Sequence, residues 1–575
     1  MRGFFSHRPL MACSAVAAAA ALVACGGGDD TAATPTALPQ LSAAQAGTLS
    51  AACASLTGFT YAGVTIASAA TVAAGTLTLA GTPVPEHCLV TGKLGSRTGS
   101  DGLTYAIGFE MRLPQAWSGR FFYQGNGGLD GSVVTATGAT GGGPNTHALL
   151  QGFAVISSDA GHTGAQTAAF GFEPQARLDY GYQAAAKLTP MAKALVKAAY
   201  GRTPDRSYFG GCSNGGRHTL VATSRLAEEY DGFLAGAPGY NLPKAAVSQI
   251  WGAQQYARAY TVGATTVANG STIADLSTAF TPAERTMIAG RILAKCDALD
   301  SAADGIVSDT AACQKAFSLA DDVPTCSGAR DGTCLTALQK DVLTNIHAGA
   351  RTSTGSAVYN TFPFDAGISG TGWATWEFVN SLALDPLAAG VVFNATPAFL
   401  ANPLTASIDA LAAGITATSA TYAVSGMDFM TPPNPSNLSV LKNRGAKVMV
   451  YHGVSDAVFS YDDSVTWIKN LASANDGDAS NFARLYGVPG MNHCSGGPAT
   501  DQFDMLTPLV QWVEQGKAPD AVIATARGTG NAGGVNAEVP AGWAATRTRP
   551  LCAYPKVAKY KGSGSLELAA NFSCQ

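Results

Sequence analysis

The chain has 575 residues, 47% of them apolar and only 13% charged, and 35 Lys and Arg against 39 Asp and Glu leave a net charge of −4. That length excludes a small single-core module and leaves room for one large domain carrying a substantial insertion. The charge balance supplies no basic field for nucleic acid or anionic lipid, and beyond the N-terminus no apolar run of about 18 residues reads as a membrane span.

The first elements are targeting ones. Arg2 and Arg8 precede an apolar run at 15–23 that is too short to cross a bilayer, so residues 1–25 read as an export signal. The run ends in Leu22-Val23-Ala24-Cys25, which resembles the lipobox of bacterial lipoproteins and would make Cys25 the acylated first residue of the mature chain. The expected location is therefore periplasmic, outer-membrane or secreted, with an N-terminal lipid anchor as the membrane contact. Residues 26–47, built from Gly, Asp, Thr, Ala and Pro, read as a flexible tether.

Beyond Cys13 and Cys25, ten cysteines remain, an even number that in an exported chain suggests disulfides. Nearness in sequence proposes Cys53–Cys88, Cys296–Cys313, Cys326–Cys334 and Cys552–Cys574, leaving Cys212 and Cys494 as a distant pair. No CxxC pair or His doublet supports zinc instead.

Short apolar and β-branched runs at 153–158, 207–211 and 447–452 read as buried parallel strands, with helical periodicity at 178–200 and 503–515 between and after them. Residues 48–240 and 439–575 thus read as an α/β catalytic domain. Residues 241–438 carry four of the cysteines, an acidic loop and weak periodicity, and read as an inserted lid domain.

Gly211-Cys212-Ser213-Asn214-Gly215 follows one of these strands and precedes a helical stretch at 217–229, which is the strand-turn-helix setting of a nucleophile elbow. Ser213 at its apex needs a base and an orienting acid, supplied later in the chain in the order Ser, Asp, His. Asp456 lies in the loop after the strand at 447–452. His493 lies in the loop after a strand-like run at 482–488, ahead of the final helix. Cys212 and Cys494 flank the proposed nucleophile and base, so a bond between them would tie the two loops together. The strand-like run at 121–124 enters the turn Gly125-Asn126-Gly127-Gly128, and backbone N–H groups of Gly128 and Asn214 are assigned to an oxyanion hole. A dinucleotide site is the rival reading of these glycines, but their spacing is not G-x-G-x-x-G and no organic cofactor is expected. In the insertion, Asp297, Asp300, Asp304 and Asp309, with Gly305, suit a hard cation such as Ca²⁺, the alternative being a solvated acidic loop.

Gly211-Cys212-Ser213, Tyr451-His452-Gly453-Val454-Ser455-Asp456, the run from Val488 through His493-Cys494-Ser495-Gly496-Gly497 to Pro498, and Thr548-Arg549-Pro550-Leu551-Cys552 together resemble the tannase/feruloyl esterase family. The resemblance covers nearly the whole mature chain. It implies an α/β-hydrolase core with a large lid, Ser213 as nucleophile, Asp456 as orienting acid and His493 as base. It also implies structural calcium held by Asp297, Asp300 and Asp304 with the carbonyls of Ala302 and Ile306, and an acyl pocket lined by His452 and Phe459. The substrates implied are small esters of aromatic acids, mono(2-hydroxyethyl) terephthalate and feruloyl-type esters among them, with galloyl esters as the alternative. One departure stands out. A lid Arg that pairs with the free carboxylate of the terephthalate monoester has no counterpart here, since 352–441 contains no Arg or Lys. The reading from another class is a non-catalytic, calcium-dependent surface-binding lipoprotein, which an intact Ser, Asp and His order disfavours.

Overall fold

The computed structural model describes residues 38–142, 147–267 and 271–575. The expected signal, Cys25 and the tether up to residue 37 lie outside the described residues.

Among these residues, nine strands make the main sheet: β1 (Val64–Val72), β2 (His87–Thr98), β3 (Thr104–Pro114), β4 (Arg120–Gln124), β5 (Ala154–Ser158), β6 (Arg206–Cys212), β7 (Gly232–Gly236), β8 (Lys447–Gly453) and β9 (Ala483–Val488). Their spatial order is β1-β2-β3-β5-β4-β6-β7-β8-β9. The pairs β1/β2, β2/β3 and β3/β5 are antiparallel. From β5 through β4 to β9 every pair is parallel. The sheet is thus mixed where the sequence suggested parallel strands alone, because the long hairpins β1 to β3 extend it on one side. This is the arrangement of an α/β-hydrolase core.

Strand periodicity distributes the core. On β8, Val448 and Val450 face α1 (Ala184–Tyr200) and its neighbours, whereas Met449 and Tyr451 face the other way. Phe121 and Tyr123 against Phe122 on β4 repeat the pattern, as do Phe209 against Tyr208 on β6. The first face is covered by α1, α2 (Asn214–Arg225) and a later helix carrying Trp467 and Leu471; the second by a helix carrying Leu509 and Trp512. Both faces being covered explains why β5, β7 and β8 are buried along their whole length.

The insertion leaves the sheet after β7 and returns at β8, slightly wider than the expected 241–438. It holds α3 (Leu242–Tyr256), α4 (Pro282–Cys296) and α5 (Ala337–Ala348), joined by short 3₁₀ and π turns. Its weak periodicity reflects this broken helicity. Two of these helices are fixed locally by capping boxes, Thr281 with Glu284 ahead of α4 and Thr336 with Gln339 ahead of α5. Its core joins Tyr256, Ile288, Ile292, Leu343, Trp373 and Phe378. After β8 come α6 (Tyr461–Ser473) and α7 (Leu506–Gln515). No described helix is long and apolar enough to cross a membrane.

Among the described residues, disulfides join Cys53–Cys88, Cys212–Cys494, Cys296–Cys313, Cys326–Cys334 and Cys552–Cys574. One expectation is corrected here. Residues 38–47, read as the end of a flexible tether, are docked on the core: Gln40 Nε2 donates to Val513 O (2.8 Å), Ala44 N to Glu514 Oε2 (2.9 Å) and Gln45 N to Asp205 Oδ2 (2.7 Å). Carboxylates already fixed by Arg120 and Arg202 supply two of the three acceptors, which composition alone does not reveal.

Candidate active site

Ser213 sits between the C-terminal end of β6 and the first residue of α2 with φ +66° and ψ −128°, a strained backbone for a residue with a Cβ. The elbow is made possible by its glycines: a Cβ on Gly211 would lie 2.4 Å from Gly125 O, and one on Gly215 2.3 Å from the same oxygen. Ser213 N donates to Gly236 O at 3.0 Å, which locks the turn to β7.

His493 Nε2 lies 2.7 Å from Ser213 Oγ, and His493 Nδ1 lies 2.7 Å from Asp456 Oδ2. A carboxylate only accepts, so Nδ1 carries the proton and Nε2 is left to accept from the serine hydroxyl. Asp456 is itself fixed, its Oδ1 accepting from the amides of Val458 and Phe459 at 3.0 Å each. Burial alone would raise this carboxyl, but His493 and His452 beside it hold it well below the usual carboxylate range. The Asp456 carboxylate therefore stays ionised and orients the imidazole. Cys212–Cys494, with Cα atoms 6.1 Å apart, joins the nucleophile strand to the histidine loop.

Two other expectations are adjusted by the geometry. His452, matched to an acyl-pocket lining position, is fully buried behind Asp456. Its Nε2 donates to Phe459 O (2.9 Å) and approaches Asp456 Oδ2 (3.3 Å), and its Nδ1 accepts from Ser464 Oγ (2.8 Å). It supports the acid instead of facing an acyl group. In the glycine turn, Gly127 lies nearer the nucleophile than Gly128, since a Cβ on Gly127 would stand 4.0 Å from Ser213 Cβ while one on Gly128 meets nothing within 4 Å. Asn214 N–H opens α2, where amides have no intrahelical acceptor and the helix dipole is positive.

Phe459 packs its ring edge-on to His493, with centroids 5.3 Å apart. The insertion adds Trp376 in the same relation at 4.9 Å, a residue that no motif or spacing singles out. Beneath the glycine turn lies a buried network equally invisible to the sequence. Asn214 Nδ2 donates to Asp130 Oδ1, Arg217 Nε donates to Asn214 Oδ1 (2.8 Å), and Tyr180 OH donates to Gly128 O (3.2 Å).

The acidic loop of the insertion is an all-oxygen cluster. Asp297 accepts from the amides of Asp304 (3.1 Å) and Gly305 (2.9 Å), and Asp300 from those of Ala302 (3.0 Å) and Ser308 (3.1 Å). Asp304 pairs with Arg549, whereas Asp309 is spent as the cap of the helix Thr310–Ala316. Among the described residues no three His, Cys, Asp or Glu side chains share a point that could hold a metal ion, because Asp304 turns toward Arg549. Yet burial, with the Asp304 charge beside it, pushes the Asp300 carboxyl up to about 6. The amides of Ala302 and Ser308 bear on its two carboxylate oxygens.

The geometry can attack an ester carbonyl with Ser213, relay its proton through His493 and receive the oxyanion on backbone amides. Comparisons with known proteins agree with that chemistry. Residues 88–575 match the family described as tannase and feruloyl esterase. The chain is 41% identical over 529 residues to mono(2-hydroxyethyl) terephthalate hydrolase of Piscinibacter sakaiensis, covering 85% of each chain. It is 27% identical over 493 residues to a probable feruloyl esterase B-2 of Neosartorya fischeri, covering 80% of this chain and 82% of that one. Among solved structures, feruloyl esterase B from Aspergillus oryzae matches with a TM-score of 0.71 and 25% identity over 91% of this chain and 99% of the other. The chain is an ester hydrolase and belongs to the tannase and feruloyl esterase family.

Proposed function

We propose that this protein is an exported serine carboxylesterase that cleaves small esters of aromatic acids, with mono(2-hydroxyethyl) terephthalate and feruloyl-type esters as its substrate class. The observation that carries the reading is the file Ser213, His493, Asp456 at 2.7 Å per contact. Ser213 Oγ attacks the ester carbonyl carbon as His493 Nε2 takes its proton, and the oxyanion rests on the amides of Asn214 and the Gly127–Gly128 turn. Collapse expels the alcohol, which leaves with the proton from His493. Water, deprotonated by the same nitrogen, then attacks the acyl-enzyme and releases the acid. The rings of Phe459 and Trp376 against His493 offer an aromatic acyl group flat apolar contact.

The stretch 352–441 carries no Lys or Arg. A missing charge-assisted contact removes about 1.5–3 kcal/mol, so any preference for an anionic monoester is weakened by tens to hundreds of fold while ester cleavage itself is kept. The test compares kcat/KM for mono(2-hydroxyethyl) terephthalate, methyl ferulate, methyl gallate and an aliphatic ester, with Ser213→Ala as control. Serine-dependent turnover confined to aromatic esters, the terephthalate monoester among them and not preferred over the neutral ones, supports the reading; a preference for galloyl esters moves it to a tannase, and turnover of aliphatic esters alone rejects it.

Two further parts of the proposal concern the environment. Disulfides fit an oxidising compartment and hence export. Calcium is proposed for the 297–306 loop, held by the carboxylates of Asp297, Asp300 and Asp304 and the carbonyls of Ala302 and Ile306, which requires Asp304 to turn from Arg549 toward the ion; there it would neutralise buried acidic charge and brace the insertion. A chelator should then lower Tm, Ca²⁺ should restore it and Mg²⁺ should not. A Tm indifferent to chelation rejects the calcium.

A further inference from the structure

The proposed acid and base sit on separate loops, Asp456 after β8 and His493 after β9, and each is preceded by a residue latched to the same piece of the insertion. A single oxygen of Asp365, Oδ1, accepts from Gly490 N at 2.9 Å in the histidine loop, from Ser455 Oγ in the acid loop, and from Gly367 N at 3.1 Å on its own segment. Asn492 Nδ2 donates to Gly367 O (2.9 Å), and Asn492 Oδ1 accepts from Trp373 N (3.3 Å). The approach is close: a Cβ on Gly367 would lie 2.4 Å from Gly490 O and 2.5 Å from Ser455 Cβ. Asp365 is 2% exposed.

The other fastenings do not join both loops to the insertion at one point. Cys212–Cys494 ties the histidine loop to the nucleophile and does not reach the acid loop. The ladder between β8 and β9 ends at Gly453 and Val488, short of both functional residues. Direct bonds also cross between the two loops, Ser455 N to Met491 O (3.1 Å), Asn492 Nδ2 to Ser455 O (3.4 Å) and His493 Nδ1 to Asp456 Oδ2 (2.7 Å), but none of them ties either loop to the insertion. Asp365 Oδ1 is a buried acceptor that gathers donors from the acid loop, the histidine loop and the insertion at one point, which none of the other contacts does.

We infer that Asp365 is a positioning residue of the insertion that sets Asp456 and His493 at their working separation. The inference rests on the esterase reading above. Asp365 touches neither Ser213 nor an acyl group; it acts through Ser455 and Gly490. The insertion is then part of the catalytic apparatus as well as a cover over it.

The experiment compares Asp365→Ala, Asp365→Asn and Ser455→Ala in the full enzyme on one neutral aromatic ester. Asp365→Ala should lose about 10²-fold in kcat with KM nearly unchanged. Asp365→Asn keeps a carbonyl oxygen for the same three donors and should recover most of kcat. Ser455→Ala, which removes only the donor on the acid loop, should show a smaller loss of the same kind and decides the matter if Asp365→Ala does not fold. Asp365→Ala within twofold of wild type, equal losses in the Ala and Asn variants, or a loss carried by KM with kcat unchanged would each overturn the inference. Labelling by a fluorophosphonate separates the two layers. An unlabelled and inactive wild type defeats the esterase reading itself, whereas a labelled wild type with an equally fast Asp365→Ala defeats only the positioning role.

Discussion

Ser213 illustrates how one residue can be over-determined by its surroundings. Its φ of +66° is disfavoured for any residue bearing a Cβ, and it persists because Gly211 and Gly215 let the Gly125 backbone close over the turn. Replacing Ser213 by Ala leaves that backbone intact and removes only the nucleophile, so kcat should fall by about 10⁶-fold while the unfolding transition stays in place. A Ser213→Ala enzyme with near-normal turnover would end the mechanism proposed here. At the same scale, Asp456 has donors on every side: two backbone amides, His493 and, through Nε2, His452. The sequence makes His452 conspicuous, as a histidine closing a strand four residues before an acid. Its burial behind Asp456 depends on Ser464 of α6 and the Phe459 carbonyl, neither of which the strand pattern specifies.

Elements carry the next layer of constraint. The ends of β6, β8 and β9 bring nucleophile, acid and base to one edge of the sheet, where open α/β sheets place their ligands. Those strands were legible from short apolar runs, because burial on both faces leaves a continuous hydrophobic signature. The Cys212–Cys494 bond spans 282 residues of sequence and joins β6 to the histidine loop. A Cys212→Ala, Cys494→Ala enzyme should remain folded on the other disulfides and the sheet, with Tm lowered by a few degrees and kcat lowered by about 10-fold or more. Full activity in that variant would show that the loop holds itself. The helices of the insertion were harder to read. They are short, interrupted by π and 3₁₀ turns, and anchored by caps and disulfides more than by an amphipathic stripe.

For the whole molecule, buried titratable groups set the response to pH. Burial lowers His162 and His347 from 6.5 to about 4, so the unfolded chain takes up protons there that the native protein refuses, and stability is lost as pH falls through that window. Burial raises Glu377 from 4.5 to about 8, with the Asp456 charge adding to the effect, and raises Asp159 from 3.8 to about 7. These acids stay protonated in the native state while the unfolded chain ionises, so they cost stability as pH rises. Between 4 and 6.5 the two effects oppose each other; above 6.5 only the acids act, and stability should fall toward pH 8. Urea unfolding at pH 6.5 and 8.5 measures the fall, and Glu377→Gln should reduce it. An unchanged fall would remove Glu377 from the account.

What the sequence by itself determined were the features whose cause is local. The elbow follows from glycines beside a serine, the main strands from runs of apolar residues, and the order of nucleophile, acid and base from the few histidines that come late enough. The pairing of Cys212 with Cys494 was reachable by elimination once nearer partners were matched. The tertiary structure alone decided what depends on distant neighbours. Trp376 reaches His493, Asp365 clamps loops 90 and 125 residues away, and the segment after residue 37 docks on carboxylates more than 150 residues further on. The physical reason is that a strand or a turn is stabilised by its own residues' burial and backbone geometry. A hydrogen bond across the fold exists only after those elements have packed, and nothing in the spacing of either partner encodes the other.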